Sequence, residues 1–229
     1  PLQLERNPLP DPPRFAVNIL VTAGATREPI DPVRYLTNRS SGKMGYAIAS
    51  AGAQLGHRVT LISGPTSLDI PSHVDFIPVE TAQEMLEAVK LKIGGKDAAI
   101  FSAAVADYRP ASVSDRKIKK TADSLTLELV QNPDILGSAR HQFKYDGILV
   151  GFAAETENLE TNAREKLRQK ECDLVVANDI SKKGIGFDSD HNEVLLVYPE
   201  HTRPIPIDSK ERLAHTLLQA IHELKVGGS

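Results

Sequence analysis

Between positions 37 and 49 the chain reads TNRSSGKMGYAIA, a cluster of hydroxyls and one carboxamide running through Ser41-Gly42-Lys43 into small apolar residues. Ser40, Ser41 and Gly42 fall where a helix should begin, and a helix amino end offers an anion its unpaired N–H groups and positive dipole end. Two readings fit: a phosphate cradle, or a helix whose Ser41 side chain caps its own first turn, an interaction worth about 1 kcal/mol. Further on, SAAVADYRPASVSDRKIKK at 102–120 sets Asp107 ahead of Arg109, Arg116, Lys117, Lys119 and Lys120. Such cations neutralise a polyphosphate, and they also make ordinary solvated loops. The small Ala103, Ala104 and Ala106 let backbone approach a ligand closely. QNPDIL brings Asn132, Pro133 and Asp134, and GFAAET brings Phe152; either could serve a ligand, or merely cap a helix and fill the core. Lys166 and Lys170, four apart, leave one helix face together, although the alternating Glu and Arg around them equally suit a salt-bridged solvent face.

Other chemistries find less support. Cys172 has no neighbouring His in sequence and sits at a strand entry, which suits a small buried side chain rather than a nucleophile. The seven histidines show neither H-E-x-x-H nor Cys/His ligand spacing, so the pattern points to no zinc site and metal ligands stay unassigned. Gly24, Gly42 and Gly45 miss the G-x-G-x-x-G spacing of dinucleotide folds, and Lys43 misses the spacing of a Walker loop.

The elements that must position these residues alternate. Apolar strand-like runs (VNILVTA, RVTLI, DAAIFSA, GILVGFA, DLVVAN) are separated by segments of helical length at 42–55, 82–93, 133–143, 157–169 and 209–224. Strands apolar at every position are buried on both faces, as in a parallel sheet. KKTADSLTLELV and NEVLLVYPEHTRPIPI read as hairpin-like strands. The expected fold is α/β: a Rossmann-like, doubly wound, mostly parallel sheet with a small antiparallel extension. Ligands of such sheets bind beyond the carboxyl ends of the strands, so the loops after the strands should carry the site. The loop after the first strand, about twenty residues long, exceeds what a connection needs and points to function.

The whole chain sets outer bounds. It has 229 residues, 41% apolar and 25% charged, enough for one well-buried domain. Residues 1–14 hold five prolines and no periodicity and read as a linker; 15–229 read as the domain. A net charge of -3 gives no field for nucleic acid or anionic membrane. No apolar run approaches the roughly 18 residues of a spanning helix. One cysteine excludes an internal disulfide and fits a reducing, cytoplasmic setting.

Taken in order and spacing, TAGATREPIDPVRYLTNRSSGKMG, SAAVADYRP, KIKK, QNPDIL, GFAAET and ANDIS closely resemble the bacterial phosphopantothenate-cysteine ligase family, across nearly all of 18–224. The resemblance implies a ligase of coenzyme A biosynthesis. In that family the carboxylate of 4'-phosphopantothenate attacks the α-phosphate of CTP, giving pyrophosphate and an acyl-cytidylate, which L-cysteine then converts to 4'-phosphopantothenoylcysteine and CMP. Carried over by position, the CTP contacts fall on Asp107, Lys117, Pro133, Asp134, Ile135, Leu136, Phe152, Lys166 and Lys170. Ser40, Ser41 and Gly42 would face a phosphate, Asn38 the acyl-cytidylate, and Arg34 the phosphopantothenate end. Lys117 would be the main phosphate counter-charge. The family further implies Mg²⁺, a homodimer, and in many bacteria fusion to an amino-terminal flavin-dependent decarboxylase, of which residues 1–14 would be the linker. Two other classes fit the fold: a nicotinamide-dependent oxidoreductase, weakened by the missing glycine fingerprint, and a nucleotide-binding module without catalysis.

Overall fold

The computed structural model describes residues 16–120, 124–179 and 189–227. Strand β1 (Asn18–Ala23) opens the sheet, and a short arm of β2 (Arg27–Pro29) and β3 (Tyr35–Thr37) follows it. Helix α1 (Lys43–Gln54), β4 (Arg58–Ser63), β5 (Val74–Pro78), α2 (Ala82–Lys92) and β6 (Ala98–Phe101) complete the first half. A second arm, β7 (Tyr108–Pro110) with β8 (Leu129–Gln131), leads to α3 (Ile135–His141), β9 (Ile148–Glu155), α4 (Leu159–Lys170) and β10 (Leu174–Asp179). The antiparallel pair β11 (His191–Val197) and β12 (Thr202–Ser209) precedes α5 (Lys210–Gly227).

Eight strands form one sheet in the order β12-β11-β10-β9-β6-β1-β4-β5. Six of them, from β5 to β10, are parallel, and β11 and β12 extend the sheet antiparallel. The chain winds from β1 outward through β4 and β5, then returns to β6 on the other side. That reversal is the switch point at which doubly wound sheets bind ligands. Because successive strand residues face opposite ways, β1 feeds two cores. Ile19, Val21 and Ala23 pack with Ile48 of α1 and Leu217 of α5; Leu20 packs on the other face with Met85 of α2, Ala139 of α3 and Leu167 of α4. Leu20 is fully buried, and truncating such a side chain to Ala costs about 2 to 5 kcal/mol. The helices follow local rules: a capping box between Thr81 and Glu84 starts α2. Gly45 lets α1 lie against β1, since a Cβ there would stand 2.5 Å from that of Ala23 and 2.6 Å from Ser102 Oγ.

The expected fold is the observed one, with local corrections. Ser41 does not cap α1: the N-cap is Gly42, at φ 76, and no side chain caps the helix. Only glycine readily adopts that left-handed backbone. The fourth segment does not become helical at Pro133; Asp134 is the cap, its Oδ1 accepting the Gly137 N–H at 3.0 Å. KKTADSLTLELV is not a hairpin of its own: 124–128 lie outside strands, and Leu129–Gln131 pairs back with Tyr108–Pro110. The edge strand β5 and the β2–β3 arm had no counterpart in the sequence reading. Residues 1–14 and the end of ANDIS lie outside the described residues.

Candidate active site

The loops leaving β1 and β6 meet beyond the sheet edge. They are joined by an isolated parallel bridge between Ala25 and Ala104. Asn38, ahead of α1, donates its Nδ2–H to the Val105 carbonyl at 3.0 Å. Asn132 does the same for the next loop, through Nδ2–H to the Ala106 carbonyl at 2.8 Å and its backbone N–H to the Asp107 carbonyl at 2.8 Å. Three loops distant in sequence are thus joined into one rim.

Two cavities share this rim. The first, about 480 Å³, is lined by Asn38, Ser40, Ser41 and Gly42 with Lys43 at the amino end of α1, and by Ala103, Val105, Asp107, Phe152 and Lys166 opposite. Since no side chain caps α1 and its first turn holds no acid, the helix end presents its dipole and N–H groups to this space. The second cavity, about 300 Å³, is walled by Pro133, Asp134, Ile135, Leu136, Phe152, Lys166 and Lys170. Ala103, Val105, Asp107, Phe152 and Lys166 line both.

The two lysines of α4 turn toward the site rather than joining the solvent face, which belongs to pairs such as Arg164 with Glu160 at 2.9 Å. Lys166 Nζ donates to the Phe152 carbonyl at 2.5 Å. Lys170 Nζ pairs with Asp134 Oδ2 at 2.7 Å, while the other oxygen of that carboxylate caps α3. Each ammonium therefore spends one donor on fixing the wall and keeps others for a ligand. Burial pushes Lys166 below the usual lysine range. For Asp134 burial opposes ionisation, but the Lys170 ammonium and the Gly137 N–H outweigh it and hold the carboxyl below its ordinary value. Cys172 is buried and unfit as a nucleophile, its thiol pushed up to about 12 by desolvation.

Arg34 and Lys117 line neither cavity. Arg34 pairs with Asp31, Nη2 to Oδ2 at 2.5 Å, and Lys117 is exposed on the segment between β7 and β8. Arg109 is also withdrawn from the basic cluster: its Nη1 donates to the Gln131 carbonyl at 2.7 Å and to Asn132 Oδ1 at 3.1 Å. Lys43 pairs with Asp190 at 2.6 Å.

Three residues to which the sequence reading gave no role line the first cavity: Asn178, Asn192 and Lys210. Asn178 is 8% exposed, and its Oδ1 has no hydrogen-bond partner among the described residues. A buried orphan acceptor is costly unless a ligand satisfies it. The available signal was its place, a polar residue next to the end of β10 after the apolar run LVVA.

Among the described residues no group of three or more His, Cys, Asp or Glu could hold a metal ion. No helix of the described residues is long and apolar enough to cross a membrane.

The chain has known relatives in both sequence and fold. Residues 16–224 match the family described as DNA/pantothenate metabolism flavoprotein C-terminal domain. The chain is 50% identical over 209 residues to the coenzyme A biosynthesis bifunctional protein CoaBC of Vibrio vulnificus, covering 90% of this chain and 52% of that one. It is 48% identical over 208 residues to the Escherichia coli protein of the same name, covering 90% and 51%. The chain thus spans about half the length of these relatives. The crystal structure of the C-terminal domain of CoaBC superposes with a TM-score of 0.79 at 42% identity, covering 93% of this chain and 97% of that one. The chain belongs to the DNA/pantothenate metabolism flavoprotein C-terminal domain family, and these likenesses bear out its resemblance to the phosphopantothenate-cysteine ligases.

Proposed function

We propose that the chain joins 4'-phosphopantothenate to L-cysteine at the expense of CTP, in coenzyme A biosynthesis. The observation that carries this reading is the meeting of two unlike cavities at Asp107: a helix amino end fit for phosphates, and a half-apolar wall with two lysines fit for a base and ribose. A nucleoside triphosphate laid across Asp107 would place its α-phosphate between them, beside Asn38.

In the first step an oxygen of the phosphopantothenate carboxylate forms a bond to the α-phosphorus, and the bond from that phosphorus to its bridging oxygen breaks, so pyrophosphate leaves with the electron pair. The N–H groups of Met44 and Gly45 in the first turn of α1, which line the first cavity, and the Lys117 ammonium meet charge that grows on the phosphate oxygens. In the second step the cysteine amine attacks the acyl carbon, the C–N bond forms, the bond to CMP breaks, and the amine proton passes to solvent. Asn38 holds the acyl-cytidylate for that attack, and Asn178 supplies a further acceptor in the same cavity. Mg²⁺ is commonly bound by one or two carboxylates plus substrate phosphates, and Asp107 suits that arrangement. A bound Mg²⁺ would neutralise phosphate charge.

The chain acts in the cytoplasm as a homodimer. Both arms expose large apolar side chains, Val33 and Tyr35 on one and Tyr108 and Leu129 on the other, of the sort a second copy covers. Arg34 and Lys117, outside the cavities of their own chain, suit a site completed by that copy. Residues 1–14 would join the domain to a flavin-dependent decarboxylase. The test is formation of 4'-phosphopantothenoylcysteine, identified by mass, from the three substrates with CTP or ATP; no product with either would overturn the reading.

A further inference from the structure

The segment between β7 and β8 carries Arg116, Lys117, Lys119 and Lys120, and backbone groups on it are anchored to the β2–β3 arm. Ser114 N–H donates to the Ile30 carbonyl at 3.0 Å. Four residues on, both backbone groups of Ile118 are held. Its N–H donates to Asp31 Oδ2 at 3.0 Å, and its carbonyl accepts from Arg34 Nη2 at 2.8 Å. The same Asp31 oxygen accepts from Arg34 Nε at 3.0 Å, while Oδ1 accepts the N–H groups of Val33 and Arg34, both at 2.9 Å. The Asp31 side chain is fully buried, and the Arg34 guanidinium holds its carboxyl far below the usual carboxylate range. A buried carboxylate with five donors is a fixed point.

We infer that Asp31 is a positioning residue: with Arg34 it clamps the Ile118 peptide and thereby holds the neighbouring Lys117 in place for phosphoryl chemistry. This deepens the function proposed above and rests on the role given there to Lys117. It gives Arg34 a task that does not require contact with substrate. Lysine could not replace it, because an ammonium lacks the planar fork that reaches Asp31 and the Ile118 carbonyl together.

The test pairs proteolysis with kinetics on the full chain. Trypsin cuts after Arg116, Lys117, Lys119 and Lys120, so Asp31→Asn should speed cleavage there, and there alone, by about tenfold, the scale of one lost charge-assisted hydrogen bond. Pyrophosphate release should slow by about the same factor, and adding Asp31→Asn to Lys117→Gln should slow it by less than about twofold further, since residues acting through one another are not additive. Unchanged cleavage would remove the clamp. Faster cleavage with fully multiplicative kinetic losses would remove its action through Lys117. If Lys117→Gln alone leaves release unchanged, the role of Lys117 fails and the positioning claim with it, while the cleavage pattern still reports whether the clamp exists. Should Asp31→Asn lose its cooperative thermal transition, Arg34→Lys, which leaves the Asp31 turn in place, must give the same cleavage pattern.

Discussion

Asn38 reaches across 67 residues of sequence to donate its carboxamide N–H to the carbonyl oxygen of Val105, at 3.0 Å. The bond ties the approach to α1 to the loop leaving β6, and it leaves the carboxamide oxygen of Asn38 without a partner among the described residues. Asn38→Asp exchanges the donor for an anionic acceptor facing that carbonyl. The variant should lose about 1 to 3 kcal/mol of stabilisation in the second half-reaction, so acyl-cytidylate accumulates while product falls. Mass spectrometry of the reaction mixture checks it; normal product with no accumulated intermediate would count against the role.

Lys117→Gln removes a charge while keeping most of the side-chain length. A preorganised group aimed at developing charge is worth about 2 to 4 kcal/mol in the transition state. Turnover should fall accordingly, with CTP binding weakened far less. Steady-state kinetics at saturating CTP measures the loss, and near-normal turnover would sink the assignment.

The wall lysines should behave differently. Lys166→Ala and Lys170→Ala should each raise the KM for CTP several-fold, by about 1 kcal/mol or more, with little effect on that for phosphopantothenate. Equal effects on both constants would mean that the pair does not read the nucleotide.

Lys166 also predicts a pH dependence. Its free-state pKa lies below the lysine norm because the ammonium is buried. CTP should raise it, so binding takes up a proton and weakens as pH climbs through the free-state value. Calorimetry in two buffers of different ionisation enthalpy reads that proton directly, and Lys166→Met should abolish it. Folding runs the other way: the penalty for the buried ammonium is present below this pKa and is relieved as pH rises through it.

Gly45→Ala tests the packing that brings α1 to the switch point. The added methyl would meet Ala23 Cβ at 2.5 Å and Ser102 Oγ at 2.6 Å. Overpacking of that kind costs about 1 to 3 kcal/mol, and a lowered midpoint in thermal unfolding is the expected reading.

Most of the parallel core was legible because β1, β4, β6, β9 and β10 are built on mainly apolar runs, and its loops were legible because chemistry concentrates at strand ends. What escaped the sequence was decided by partners far away. Val74–Pro78 is a half-buried edge strand without clean alternation, visible only once β4 lies beside it. The arms are three-residue pairs inside long connections, and Leu129–Gln131 looks like half of a local hairpin until Tyr108–Pro110 takes it as partner. Gly42 displaced Ser41 as the cap because the loop enters α1 through left-handed backbone. Asn178 and Lys210 reach the cavity from strand and helix ends that no local motif joins to TNRSSGK. Conversely, Asp107, Phe152 and Lys166, which had ordinary structural explanations as single residues, prove to be the shared lining of two cavities.

The central claim is tested most directly by pyrophosphate release with cysteine withheld. CTP and 4'-phosphopantothenate together should give a burst of pyrophosphate stoichiometric with enzyme sites, and either alone should give none. Release from CTP that ignores phosphopantothenate, or no release while NADPH binds in its place, would contradict the account.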